Sequence, residues 1–194
     1  CRVGVRRHAP AGCASLERRN VNVGDPVVLT EDLTVIRDEY NGGVRYQDAR
    51  QLVPPLLLAD TRSEMLHVTK GRSAWEYQWA PGVVETGVTA TRLGTILSHR
   101  FDLAPPRALL AHRDMTLLAH RDTKHPYPCR NLTLFFALGC SGGELVLCDR
   151  HLAFGAQDGW ALGFDGQELH GVAPLRIAKG GHRLSLTFYC PIDA

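Results

Sequence analysis

Residues 107–149 read RALLAHRDMTLLAHRDTKHPYPCRNLTLFFALGCSGGELVLCD and contain His-Arg-Asp twice, at 112–114 and 120–122. Short apolar runs (RALLAH, MTLLAH, NLTLFFAL, GELVLCD) are separated by Asp, Pro, Asn and Gly-Gly. Runs of that length, punctuated in that way, are short strands joined by turns. GWALGF, LHGVAPLRI and HRLSLTFYC carry the same texture almost to the end of the chain. The expectation is a mainly β protein with supporting helices (α+β), its C-terminal half a sandwich or barrel.

His-x-Asp at a strand end puts both side chains on one face, because side chains alternate with a period of two. An imidazole nitrogen and a carboxylate oxygen can then reach the same cation. A strand advances about 3.3 Å per residue, so copies eight residues apart lie up to roughly 26 Å from each other and cannot share one ion. A third ligand is available in ELHGVAP as His170. Two histidines and a carboxylate, with one metal face open, form the facial ligand set of non-haem Fe(II) oxygenases. Such a centre needs an anchor for a co-substrate, and Arg183 with Ser185 on the same strand face can pair with a carboxylate. In HRLSLTFYC one face is Leu184, Leu186 and Phe188, and the other is Arg183, Ser185, Thr187 and Tyr189. The polar row is either an outward, solvated face or the lining of a barrel cavity.

Upstream the pattern is mixed. PVVLTEDLTVIRDEY reads as two short strands around a Thr-Glu-Asp turn, and YQDARQLVPPLLLAD as a short helix broken by Pro54-Pro55. In TATRLGTILSHRF, Leu93, Ile96, Leu97 and Phe101 recur at helical spacing, which predicts an amphipathic helix ending near Asp102. Two segments are expected: an N-terminal α/β extension over 1–80 and a β core over 81–194.

At 194 residues the chain can bury one proper core. No apolar run is long enough to span a bilayer, and no membrane association is expected. The chain starts on Cys1, so a longer parent protein is expected. Its six cysteines form no CxxC pair, which predicts reduced, buried thiols in a cytosolic or nuclear protein. The net charge is only +2, but Arg107, Arg113, Arg121, Lys124 and Arg130 cluster around the second His-Arg-Asp. Such a local excess can meet phosphate, but a cluster this small is more often a solvated face.

The segment from HRDTKHPYPCRNLTLFFALGCSGGELVL through DGWALGFDGQELHGVAPL to HRLSLTFYC resembles the Fe(II)/2-oxoglutarate dioxygenases, and within them the TET/JBP-like nucleic-acid base oxygenases. The resemblance covers about residues 85–191 and implies a double-stranded β-helix (jelly-roll or cupin-like) barrel. It makes His120, Asp122 and His170 the iron ligands, and Arg183 with Ser185 the clamp on the far carboxylate of 2-oxoglutarate. Fe(II), 2-oxoglutarate and O2 are the implied cofactors, with ascorbate as supporting reductant. The implied substrate is the methyl group of a 5-methylpyrimidine in DNA, which points to the nucleus. Oxidation of a protein side chain or small metabolite, and a non-catalytic binding barrel, are the competing readings. His125 stands where several relatives carry a short polar residue facing the base; Arg121, Lys124 and Tyr189 are the further substrate-side candidates. Only the second His-Arg-Asp is followed by a polar turn and a long strand. The first is therefore expected in a hairpin, with Arg113-Asp114 as turn chemistry and His112 as a decoy.

Overall fold

A computed structural model describes residues 21–29, 34–36, 40–41, 43–78, 87–122 and 128–192. In chain order these residues form β1 (Thr34–Ile36), β2 (Tyr40–Asn41), β3 (Val44–Asp48), α1 (Pro55–Val68), β4 (Ala74–Gln78), α2 (Val88–Arg100), β5 (Ala108–Arg113) and β6 (Leu117–His120). β7 (Cys129–Gly142), β8 (Leu145–Leu147), β9 (Leu152–Phe154), β10 (Trp160–Asp165), β11 (His170–Val172) and β12 (Leu175–Pro191) follow. One sheet has the order β2-β3-β10-β7-β12-β5-β4, the other β1-β9-β8-β11-β6. The expected double-stranded β-helix is what the chain forms.

The two sheets are joined by one bent ribbon. Along β7 and β12, Cys140 pairs with Ile177 and Gly142 with Leu175. Past the bend, Leu145 pairs with Val172 and Leu147 with His170 at the same offset. Gly143 N donates to Pro174 O at 3.0 Å and Ala173 N to Glu144 O at 2.9 Å, so the corner costs no hydrogen bonds. Gly142 (φ 74°) and Gly143 (φ 72°) supply left-handed backbone there. A Cβ on Gly142 would overlap Pro174 O, so only glycine fits.

The strand alternation of β7 and β12 sets two layers. Leu132, Leu134, Phe136, Leu184, Leu186 and Phe188 meet Leu57, Leu58 and Met65 of α1 and Leu93 and Leu97 of α2. A Cβ on Gly94 would sit 2.5 Å from the Phe188 ring, so α2 approaches the sheet as closely as its backbone allows. On the inner face Phe135, Leu162 and Phe164 join Leu147, Phe154, Tyr46 and Trp160 between the sheets. Trp160 is a core residue on the same strand face as Leu162 and Phe164. Burying the five Leu and Phe side chains of this inner layer at roughly 1.5–3 kcal/mol each is a large share of the drive to fold.

Three local expectations are corrected. Pro55 does not break a helix; it is the first residue of α1, where its missing N–H is no loss. Among the described residues of PVVLTEDLTVIRDEY, 34–36 form β1, which pairs parallel with β9, whereas 26–29 have no regular structure; residues 30–33 and 37–39 lie outside the described residues. β5 and β6 are not a hairpin. β5 pairs with β12 and β4, β6 pairs with β11, and the chain crosses from one sheet to the other between them. β3 and β4, from the N-terminal 80 residues, hydrogen-bond to β10 and β5 of the large sheet. Cys129, Cys140, Cys148 and Cys190 are free thiols, three of them buried. Among the described residues no helix is long and apolar enough to cross a membrane.

Candidate active site

β6 and β11 are neighbours, and their register sets His120 opposite His170. The two ring centroids are 4.4 Å apart. Asp122 lies two residues past His120. Its N–H donates to Gly166 O at 3.0 Å, and its carbonyl accepts from Gln167 Nε2 at 3.1 Å. This brings Asp122 Oδ2 within 3.5 Å of His170 Nε2 and Oδ1 within 3.8 Å of His120 Nε2. The three donor atoms all lie within 4.8 Å of one another. A cation bonded at about 2.0–2.2 Å to each donor needs them no more than about 4.4 Å apart, so a small side-chain adjustment would close this cluster on one ion.

The tautomers agree with that use. His120 Nδ1 lies 2.8 Å from Leu118 O, and His170 Nδ1 lies 2.8 Å from Glu168 O. A carbonyl only accepts, so each Nδ1 carries the proton and each Nε2 offers its lone pair to the site. Burial holds the pKa of His170 below the usual imidazole range despite the nearby Asp122 carboxylate, keeping the ring neutral and ligand-ready at pH 7.

Arg183 is completely buried. Its Nη1 reaches Ser185 Oγ only at 3.5 Å, and Nε and Nη2 have no hydrogen-bond partner. Burial lowers its pKa to about 10, which still leaves it charged at pH 7. A buried unpaired cation costs several kcal/mol. The orphaned fork of N–H groups therefore fits an anionic ligand, and a carboxylate matches its bidentate geometry.

One pocket of about 360 Å³, its open mouth included, joins these groups: His120, Asp122, His170, Arg183, Ser185 and Tyr189 all line it. The polar row of the last strand thus faces inward, not to solvent. His112 also lines the pocket, opposite Ser185 on the β5–β12 ladder. Burial, then the nearby His120 and Arg183, push its pKa down to about 4. It is absent from the metal-ligand cluster, as expected, but it is no bystander.

No protein-family model matches the chain, and no curated protein matches it by sequence. Solved structures do. A 2OG-Fe(II) oxygenase family oxidoreductase from Burkholderia pseudomallei superposes with a TM-score of 0.60 at 16% identity, over 83% of this chain and 95% of that one. A prolyl-4-hydroxylase from Pseudomonas putida gives 0.54 at 16%, over 78% and 94%. NgTET1 in complex with 5mC DNA gives 0.52 at 15%, over 76% and 71%.

The fold is that of the Fe(II)/2-oxoglutarate oxygenases. At such identities the likeness is one of fold, and the residues above carry the rest.

The remaining sequence candidates fare differently in this oxygenase fold. Ser185 and Tyr189 are buried pocket residues. Tyr189 is only 3% exposed and packs with Ala108 and Cys129, which limits its face for stacking. Arg121 pairs with Asp149 at 3.0 Å and donates to Gln167 O. Arg113 donates to Leu66 O and Arg130 to Gly43 O. Lys124 and His125 lie outside the described residues. Sequence reading missed Asp114, Asn131 and the inward role of His112. Strand alternation groups each of the latter two with the polar phase of its own strand, but the direction of that phase comes only from the packed sheets.

Proposed function

We propose that this protein is an Fe(II)/2-oxoglutarate-dependent dioxygenase that hydroxylates the methyl group of a 5-methylpyrimidine in DNA. The observation that carries the enzyme class is Arg183, a buried guanidinium with orphaned donors in the same pocket as two Nδ1-protonated histidines and a carboxylate. His120, Asp122 and His170 would hold Fe(II), and Arg183 with Ser185 would hold the distal carboxylate of 2-oxoglutarate. Bound there, the pair would supply O2-dependent hydroxylation of a C–H bond, with the co-substrate decarboxylated to succinate. The chain's own part is to orient the acid, fix the ligand tautomers and keep water from the buried end of the pocket. For duplex DNA the target base must leave the stack.

The DNA reading is supported by the TET/JBP-like motif order and by the fold shared with a protein solved on 5mC DNA. It is consistent with a nuclear location. A second reading, oxidation of a protein side chain, is favoured by two observations. Prolyl hydroxylases share the fold equally well, and Arg113, Arg121 and Arg130 are engaged within the protein.

The test is incubation with Fe(II), 2-oxoglutarate and ascorbate, against 5-methylated DNA and against proline-containing peptides. Succinate is measured, and nucleosides are read by mass spectrometry. Oxidised 5-methylcytosine or thymine, absent with Asp122→Ala, supports the DNA reading, and hydroxylated peptide supports the second. Succinate no higher than in Asp122→Ala under every condition would leave a binding barrel. If Arg121/Lys124→Gln changes neither DNA affinity nor its salt dependence, those side chains do not meet phosphate.

A further inference from the structure

Asp122 is held by more than its backbone. Asn131, completely buried on β7, donates from Nδ2 to Asp122 Oδ2 at 2.5 Å. A carboxylate only accepts, so the amide must turn its NH2 toward Asp122 and its carbonyl away. That carbonyl, Asn131 Oδ1, is met by the Cys129 thiol at 3.9 Å. Burial raises the Cys129 pKa to about 11, so the thiol keeps the proton it donates. On the remaining side stands Gly166, where a Cβ would lie 2.8 Å from Asn131 Oδ1 and 3.2 Å from Cys129 O. The same Gly166 accepts the Asp122 N–H at 3.0 Å. Three strand-end segments therefore close on one carboxamide, and that carboxamide touches one of the three candidate ligands.

We infer that Asn131 is a positioning residue for the metal centre: it fixes the plane of the Asp122 carboxylate so that it meets the cation shared with His120 and His170, while Cys129 and Gly166 fix Asn131. The inference rests on the triad being a metal site. Without the amide, Asp122 regains rotation about its last bond and leaves a buried lone pair unpaired. The ligand would then pay the ordering cost at the moment of binding. Outer groups that orient a ligand typically govern 10–100-fold in metal affinity.

The test is Co(II) titration of the metal-free protein, followed by visible d–d absorption, with thermal melts of the metal-free forms alongside. Asn131→Leu keeps the volume and removes the donor. Co(II) affinity is expected to fall about 10–100-fold, with an altered band, in a protein that still melts cooperatively. Wild-type affinity and an unchanged band in folded Asn131→Leu overturn the inference and leave the metal site standing. If Asn131→Leu does not fold, the same titration on Gly166→Ala decides, since the added methyl displaces the carboxamide. Weakened binding there supports the inference, and unchanged binding overturns it. Wild-type protein that takes up no Co(II) overturns both this inference and the oxygenase reading.

Discussion

Asp114 grips the backbone of Arg183 from both sides. Its carboxylate Oδ1 accepts from Arg183 N at 2.7 Å, and its own N–H donates to Arg183 O at 2.8 Å. Asp114 sits at φ 55°, where the chain leaves the large sheet after β5. The first His-Arg-Asp is thus part of the site after all: its aspartate seats the buried Arg183, and its histidine lines the same pocket.

Asp114→Ala should cost about 1–3 kcal/mol, because Arg183 N loses its acceptor and alanine is strained in left-handed backbone. Asp114→Asn keeps an acceptor and tolerates that conformation, and should stay within about 1 kcal/mol of wild type. Urea unfolding of the two variants checks this. Equal losses would mean that the charge, not the acceptor, matters.

Removing the charge of Arg183 should separate stability from ligand binding. In Arg183→Met the buried, unpaired cation is gone, so the ligand-free protein should melt at or above the wild-type temperature. Binding of 2-oxoglutarate to the Mn(II)-loaded protein should weaken roughly 30-fold or more, the usual cost of deleting one partner of a buried charged contact. Calorimetric titration reads the second effect, and a lowered melting temperature would contradict the first.

Gly143→Ala should damage the site from the corner of the ribbon. Its Cβ would stand 2.9 Å from Arg183 Cδ and 2.9 Å from Leu175 Cδ1, at a backbone φ of 72°. Left-handed strain alone costs about 1–2 kcal/mol, and the arginine must also move. Both a lower melting temperature and weaker 2-oxoglutarate binding are expected. A shift in stability alone would show that Arg183 adapts.

His112 should make the fold acid-sensitive. Its folded pKa of about 4 lies below the ordinary 6.5. As pH falls, the unfolded chain therefore takes up the proton first. The stability it contributes is complete above about pH 6.5 and is lost progressively down to about pH 4, on the order of 2–3 kcal/mol at most. His112→Gln should flatten the slope of unfolding free energy between pH 6.5 and 4.5. His170 and His182, whose pKa values are also lowered by burial, keep part of it. An unchanged slope would place the His112 ring in contact with solvent.

Much of the site was legible along single strands. His120 with Asp122, and Arg183 with Ser185, are pairs two residues apart, and strand alternation alone puts each pair on one face. The polar face of the last strand was visible in HRLSLTFYC, although its direction was not. An outward solvated face and an inward cavity face have the same periodicity, and only the position of β12 between β7 and β5, with helices covering the leucine side, separates them.

The linear chain by itself determined the strand-rich character, the α2 helix, the ligand pairs and the glycine corner, because each depends on residues within one or two turns or strands of one another. Tertiary structure decided what lies far apart in sequence. It set His170 opposite His120, turned the β5–β6 connection into a crossing between sheets, joined β3 and β4 to the large sheet, and brought Asn131 onto Asp122. Register between distant strands and the side chains it brings together arise only when the sheets close, and no local pattern encodes that closure.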